Sequence, residues 1–271
     1  MSEANSILRE IRDFAAALSE AAGRRIKAAS EGQFEISYKS GNEIVTSIDL
    51  ETESYLRSEI AARYPGHYII GEEHGQSGDP EAEFTWHIDP IDGTRNFARG
   101  IAYYNVSLGV VRDEFPVAGA VYDVNESRIY SAHQGGGAEC NGLPIRVSDV
   151  DNLGKAMVIL DYHHSDISSC DSNSFLNLFS RCSKVRIFGA VALDLCLVAC
   201  GACDILLALG STKYKSMDIV AGLCILKEAG GVFVDLSGAP FDWHQSRALV
   251  GANPHLASAA VQEFSDLYKS F

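Results

Sequence analysis

Trp86-His87-Ile88-Asp89-Pro90-Ile91-Asp92-Gly93-Thr94-Arg95-Asn96-Phe97 places two carboxylates, Asp89 and Asp92, three residues apart. Phe84, Trp86 and Ile88 alternate ahead of them, which predicts a strand with Asp89 at its carboxyl end. Pro90 has no N–H for a ladder and is expected to halt it there. Gly93 and Thr94 then predict the start of a short helix whose first N–H groups face an anion. The same residues also read as a turn, since Asp-Pro and Asp-Gly are common turn dipeptides and either aspartate can cap a helix. The flanking sequence decides between the two.

Upstream, Tyr68 to Ile70 predicts a short buried strand delivering Gly71-Glu72-Glu73-His74-Gly75. The two glutamates are expected to point to opposite sides with one turned inward; the other reading is an exposed acidic loop. His74, alone in a polar loop, is expected to be exposed. A helix over Leu50–Tyr64 closes at Pro65-Gly66, and Asp49 opens it after a strand at Ile44-Val45-Thr46. Two roles stand open for Asp49, the N-cap of that helix or an acceptor for a hydroxyl proton. Residues Glu3 to Ala29 carry apolar side chains on a helical period and predict a long helix covering a sheet.

Downstream, Asn105–Val111, Phe115–Asp123 and Arg128–His133 predict consecutive strands in an antiparallel block, with Gly135–Gly142 as hairpin geometry. The second half alternates: strands at Ala156–Leu160, Val185–Phe188, Asp204–Leu209, Val232–Asp235 and Ala248–Ala252, with helices between and after them. Such an order implies an α/β or α+β layered fold. His163 and His164, with Asp161 and Asp166, leave a transition-metal site open.

Composition narrows the class. The chain has 271 residues, 46% hydrophobic and 21% charged, enough for a large core in a soluble protein. A net charge of −14 excludes non-specific nucleic-acid binding, which draws on Lys and Arg neutralising phosphates. The most apolar window, Ala190–Leu209, is interrupted by Asp194 and Asp204 and predicts core, not a membrane span. Met1-Ser2-Glu3-Ala4-Asn5 lacks a secretory pattern, and a cytoplasmic location is expected. The seven cysteines show no disulfide spacing; Cys196, Cys200 and Cys203 lack a fourth zinc ligand and read as small core residues.

Gly71-Glu72-Glu73, Asp89-Pro-Ile-Asp92-Gly-Thr94, and Asp218 heading a helix that ends Glu228-Ala-Gly-Gly231 together resemble the inositol monophosphatase family. The likeness takes in Ile44–Asp49 and Gly136–Gly142 and covers nearly the whole chain. It implies an α+β fold in αβαβα layers, one domain over residues 1–271 with halves of roughly 1–150 and 151–271. It also implies two or three Mg²⁺ ions, lithium sensitivity, a small phosphate ester as substrate, and a homodimer. On the same resemblance Glu72, Asp89 and the carbonyl of Ile91 would hold a first Mg²⁺, and Asp89, Asp92 and Asp218 a second, with a weaker third near Glu72. Gly93 and Thr94 would hold the phosphate, Thr94 with Asp49 would help deprotonate water, and Glu73 would support this shell. Gly189 and Val191 would contact substrate. Physics independently calls for metal: a phosphate 4 Å from a carboxylate is repelled by about 4 kcal/mol per pair of unit charges at an effective dielectric of ~20. Oxygen-only ligands suit hard Mg²⁺.

Two departures bear on substrate. Met217 stands where inositol-selective members carry Trp, and Ala208 where they carry an acidic residue that grips inositol hydroxyls. The segment between Leu209 and Met217 is also longer, and with Lys213 and Lys215 it resembles members that hydrolyse both inositol 1-phosphate and fructose 1,6-bisphosphate. These lysines either reach a second phosphate or solvate a loop. The expected activity is Mg²⁺-dependent hydrolysis of inositol 1-phosphate and of fructose 1,6-bisphosphate. The alternatives are a phosphatase of another small metabolite, such as a nucleotide 3′-phosphate, and a regulatory member without catalysis. The intact set Glu72, Asp89, Asp92, Thr94 and Asp218 counts against the last.

Overall fold

The computed structural model describes residues 3–39, 43–162, 172–209, 215–243, 245–246 and 248–268; His163, His164 and Lys213 lie outside them. Helix α1 (Glu3–Ser30) buries Leu8, Ile11, Ala15, Leu18, Ala22 and Ile26, the three-and-four spacing expected of a helix laid on a sheet. A hairpin of β1 (Ile36–Tyr38) and β2 (Ile44–Thr46) leads into α2 (Ser47–Arg63), which packs beside α1.

The first sheet has eight strands: β3 (Tyr68–Gly71), β4 (Gly75–Ser77), β5 (Thr85–Asp92), β6 (Asn105–Arg112), β7 (Phe115–Asp123), β8 (Arg128–His133), β9 (Gly137–Cys140) and β10 (Leu143–Pro144). Their spatial order is β10-β9-β8-β7-β6-β5-β3-β4. All neighbours are antiparallel except β3 and β5, which run parallel with Gly71 beside Ile88. That pairing brings Glu72, just past the end of β3, beside Asp89 of β5, and the Glu72 N–H donates to the Ile88 carbonyl at 3.3 Å.

Pro90 does not end its strand, contrary to the expectation from its missing donor. The ladder to β6 pairs Asp89 with Ser107 and Asp92 with Asn105, three steps on one strand against two on the other. The extra residue is a bulge, which absorbs a residue that cannot donate. In a regular strand Asp89 and Asp92 would face opposite sides; the bulge brings both to one side, as their partners two residues apart require.

The second sheet has five strands: β11 (Met157–Tyr162), β12 (Lys184–Arg186), β13 (Ile205–Leu209), β14 (Val232–Val234) and β15 (Ala248–Ala252), in the order β12-β11-β13-β15-β14. Strand β11 runs parallel to both its neighbours. The short α3 (Thr94–Ala98) follows β5, and α4 (Ser172–Arg181) and α7 (Pro254–Tyr268) cover the outer face of this sheet. Between the sheets lie α5 (Val191–Ala199) and α6 (Ser216–Glu228), so the layers read αβαβα.

Helix α6 lies unusually close to the first sheet. A β-carbon at Gly119 would come within 2.5 Å of the Ala221 carbonyl oxygen, so only glycine permits this approach. The contact holds the first turn of α6, with Asp218 in it, over the ends of β5 and β6. No described helix is long and apolar enough to cross a membrane. The described cysteines are free thiols, with Cys196 and Cys203 buried in the middle layer.

Candidate active site

A cavity of about 230 Å³ opens where β5 ends and α3, α5 and α6 begin, and Glu72, Asp89, Ile91, Asp92, Gly93, Thr94, Gly189, Val191, Lys215 and Asp218 all line it. Asp49 and Glu73 stand behind that lining and are tied to it by hydrogen bonds and charge.

Of the two roles that its sequence leaves open, Asp49 takes the hydroxyl acceptor's and not the N-cap's. The N-cap of α2 is Thr46, not Asp49; Asp49 is the third helical residue and completes a capping box, its Oδ2 accepting from the Thr46 N–H at 2.8 Å and from the Thr46 hydroxyl. Its Oδ1 faces Thr94, whose Oγ1 lies 3.2 Å away and 2.8 Å from the Ile91 carbonyl. The one hydroxyl proton of Thr94 therefore has two acceptors to choose from. Burial pushes the Asp49 carboxyl up to about 6, against the lowering pull of the Thr46 and Thr94 hydrogen bonds. That value suits a group that takes a proton near neutrality.

Glu72 and Glu73 do not part to opposite sides. Both reach Lys39, whose Nζ is 2.7 Å from Glu73 Oε1 and 3.7 Å from Glu72 Oε1, because the chain has left the pleat and entered a turn. Burial raises the Glu73 carboxyl, partly offset by its hydrogen bond from Lys39. The turn itself is clamped by Glu53, wholly buried on α2. Its Oε2 accepts from the Glu73 N–H at 2.6 Å, and its Oε1 accepts from the His74 N–H at 3.0 Å and from Arg57 Nε at 2.8 Å. His74 is exposed, as expected, with its ring against Ser54 and the Leu50 carbonyl.

Asp92 accepts at Oδ2 from Asn105 Nδ2 at 2.8 Å and from the Ala192 N–H in the first turn of α5 at 2.9 Å. Asp89 Oδ1 takes the Ile91 N–H at 3.0 Å. Burial pushes Asp92 up to about 7. It pushes Asp89 well above the usual carboxylate range, as do the nearby charges of Glu72, Asp92 and Asp218. Asp218 is raised in the same way, by burial first and then by Glu72 and Asp92. Buried carboxylates that oppose one another's ionisation are stabilised by a cation, and all-oxygen donors fit a hard one such as Mg²⁺. As the side chains stand, no group of three His, Cys, Asp or Glu among the described residues closes to hold an ion; Glu72 is drawn instead to Lys39 and Lys215. Lys215 Nζ is 3.2 Å from Glu72 Oε1.

Gly93 caps α3 at φ +90°, a left-handed conformation that also brings it to where a β-carbon would lie 3.1 Å from the Tyr103 carbonyl oxygen. Asn96 on the same helix donates from Nδ2 to the Tyr103 and Phe188 carbonyls at 2.9 and 2.8 Å. It thereby ties the Gly189–Val191 segment to the Thr94 turn. Lys39, Glu53 and Asn96 escape sequence reasoning because their partners lie far along the chain, and Asp161, weighed only with the histidines beyond it, lines this cavity.

A model of the inositol monophosphatase family matches residues 7–268. Inositol monophosphatase 1 of Bos taurus is 33% identical over 262 residues, covering 94% of each chain. A fructose-1,6-bisphosphatase/inositol-1-monophosphatase of Aquifex aeolicus is 38% identical over 210 residues, covering 76% of this chain and 77% of that one. The inositol monophosphatase from Anabaena (Nostoc) sp. PCC 7120 superposes with a TM-score of 0.85 at 27% identity, covering 96% of this chain and 97% of the other.

Proposed function

This chain belongs to the inositol monophosphatase family and is a phosphomonoesterase of it, and from that premise we propose that it hydrolyses inositol 1-phosphate in a Mg²⁺-dependent reaction. The observation that carries the reading is the Thr94–Asp49 hydrogen bond set beside a cavity walled by Glu72, Asp89, Asp92 and Asp218. Those four carboxylates and the Ile91 carbonyl would hold two or three Mg²⁺ ions, which supply charge neutralisation for the phosphate and acidify water when bound. Gly93 and Thr94 would orient the phosphate through backbone N–H groups. Thr94 Oγ1 would accept a proton from the attacking water as it passes its own to Asp49 Oδ1, while Glu73 and Lys39 keep Glu72 in place. Gly189 and Val191 would bound the leaving alcohol.

A second substrate, fructose 1,6-bisphosphate, is favoured by Lys215 on the cavity wall, a cation within reach of a second phosphate. The name of the Aquifex aeolicus relative points the same way. We further read the two sheets as halves of one domain, the protein as cytoplasmic, and the working enzyme as a homodimer, in line with the family.

The test is phosphate release from inositol 1-phosphate and fructose 1,6-bisphosphate side by side, with Mg²⁺ and with a chelator. Release from the first, lost on chelation, is the expected result; release from neither would contradict it. If Lys215 holds the second phosphate, Lys215→Ala raises KM for the bisphosphate more than for the monophosphate, and equal effects would refute that role.

A further inference from the structure

We propose that Tyr103 and Asp194 are positioning residues for the reaction, a clamp that holds the cavity wall at Gly189–Val191 and the first turn of α5 against the turn at Gly93. The inference rests on the phosphatase reading above and adds two residues that reading does not use.

Tyr103 is fastened at three places. Its hydroxyl donates to Asp194 Oδ1 at 2.6 Å, across 91 residues of chain. Its ring stacks on that of Phe188, with centroids 4.7 Å apart and planes 24° from parallel. Its carbonyl accepts from Asn96 Nδ2 of α3 at 2.9 Å, and the same nitrogen serves the Phe188 carbonyl at 2.8 Å. One residue therefore ties α3, the segment entering α5, and α5 itself.

Gly93 lies inside this clamp. A β-carbon there would come within 3.1 Å of both the Tyr103 carbonyl oxygen and the Ala190 β-carbon, so the backbone proposed to hold phosphate packs between the two segments that the clamp joins. Just beyond, Val191 lines the cavity and the Ala192 N–H reaches Asp92 Oδ2 at 2.9 Å. Ala190 opens α5 without a side-chain cap, which leaves the placement of this turn to contacts from outside it.

The pair is a poor device for stability. Asp194 is wholly buried, and its Oδ2 has no hydrogen-bond partner among the described residues. An acceptor left so costs stability, and two apolar side chains of matching shape would pack without that cost. What the hydrogen bond adds over apolar contact is a fixed distance and direction, and a displacement of about 1 Å at a reacting centre costs on the order of 100-fold in rate.

The experiment compares wild type with Tyr103→Phe, Asp194→Asn and the double variant Tyr103→Phe/Asp194→Leu. It takes kcat and KM on inositol 1-phosphate with saturating Mg²⁺, well below each Tm, and the urea midpoint of each protein. Tyr103→Phe, which keeps the ring on Phe188, should lower kcat/KM by about tenfold or more. Asp194→Asn keeps an oxygen for the Tyr103 hydroxyl and should stay within about threefold of wild type. The double variant should regain the midpoint lost in Tyr103→Phe but not the activity. Activity that returns with the midpoint would reduce the pair to a packing element and overturn the proposal. Wild-type kcat/KM in Tyr103→Phe would also overturn it, as would an equal loss in Asp194→Asn, which would assign the effect to the charge. Should the double variant fail to fold, the contrast between Tyr103→Phe and Asp194→Asn decides. A wild type that releases no phosphate would instead defeat the phosphatase reading, and this inference with it.

Discussion

Lys215 Nζ lies 3.2 Å from Glu72 Oε1, on the same oxygen that Lys39 approaches at 3.7 Å, so the carboxylate proposed as a Mg²⁺ ligand is held by two ammonium groups. Lys215 also reaches Glu43 Oε2 at 3.4 Å. Burial works against its charge, but Glu72, Asp218 and Glu43 together raise its pKa above the usual lysine range. A divalent ion at Glu72 must displace this tethered cation. Lys215→Met should therefore tighten Mg²⁺ binding, by about threefold to tenfold given how exposed the lysine is, in a calorimetric titration. Weaker binding would show that Lys215 supports the ion instead.

Asp49 sets a pH dependence in protein stripped of metal. Its carboxyl is raised from 3.8 to about 6, so between those values the native state holds a proton that the unfolded chain has released. The stability it contributes is complete below pH 3.8 and is lost as pH rises through 6. His67 and His133, both lowered chiefly by burial, act the other way, favouring the fold above 6.5 and losing that contribution as pH falls. Subtracting the profile of Asp49→Asn removes the histidines. The difference in Tm between wild type and variant, measured in chelator, should move against the wild type from pH 4 to pH 6 and stay flat if Asp49 does not titrate there.

Gly119 lets α6 touch the first sheet, and Asp218 is positioned by that contact. Gly119→Ala places a methyl 2.5 Å from the Ala221 carbonyl oxygen, backbone that has no rotamer to yield. Overpacking of this kind costs about 1–3 kcal/mol, readable as a lower urea midpoint. Mg²⁺ affinity should fall along with stability, because the first turn of α6 moves with the helix.

Glu53 anchors the Glu72–Glu73 turn from behind. Glu53→Ala strands the Glu73 and His74 N–H groups and takes a partner from Arg57, and breaking a buried pair in this way costs about 3–5 kcal/mol. Denaturant unfolding should show a loss of that order, and Glu53→Gln, which still accepts hydrogen bonds, a smaller one.

The Asp89–Thr94 turn is legible in sequence because its signals are local, alternation up to Ile88 and a glycine at 93 opening a short helix, whereas the cap of α2 falls on Thr46 and not on Asp49, since either side chain can cap and only the fold shows which does. The terminal helix at Pro254 and the strand Ala248–Ala252 are legible for the same reason. The bulge at Pro90 is not, since a missing donor says that pairing is disturbed and not how β6 accommodates it. Lys39 with Glu73, and Asn96 with Phe188, are pairs closed by tertiary packing across 34 and 92 residues, and no period records them. Asp161 shows only once β11 is in place, among the residues lining the cavity.

We propose that Asp89, Asp92, Asp218 and Glu72 serve a metal ion that phosphate hydrolysis requires. Asp92→Asn tests it most directly, because the amide keeps an oxygen to accept from Ala192 and Asn105 while removing the charge. With inositol 1-phosphate and saturating Mg²⁺, kcat should fall by about two to three orders of magnitude or more, at an unchanged circular-dichroism spectrum and a Tm in chelator no lower than that of wild type. Wild-type turnover in the folded variant would contradict the assignment.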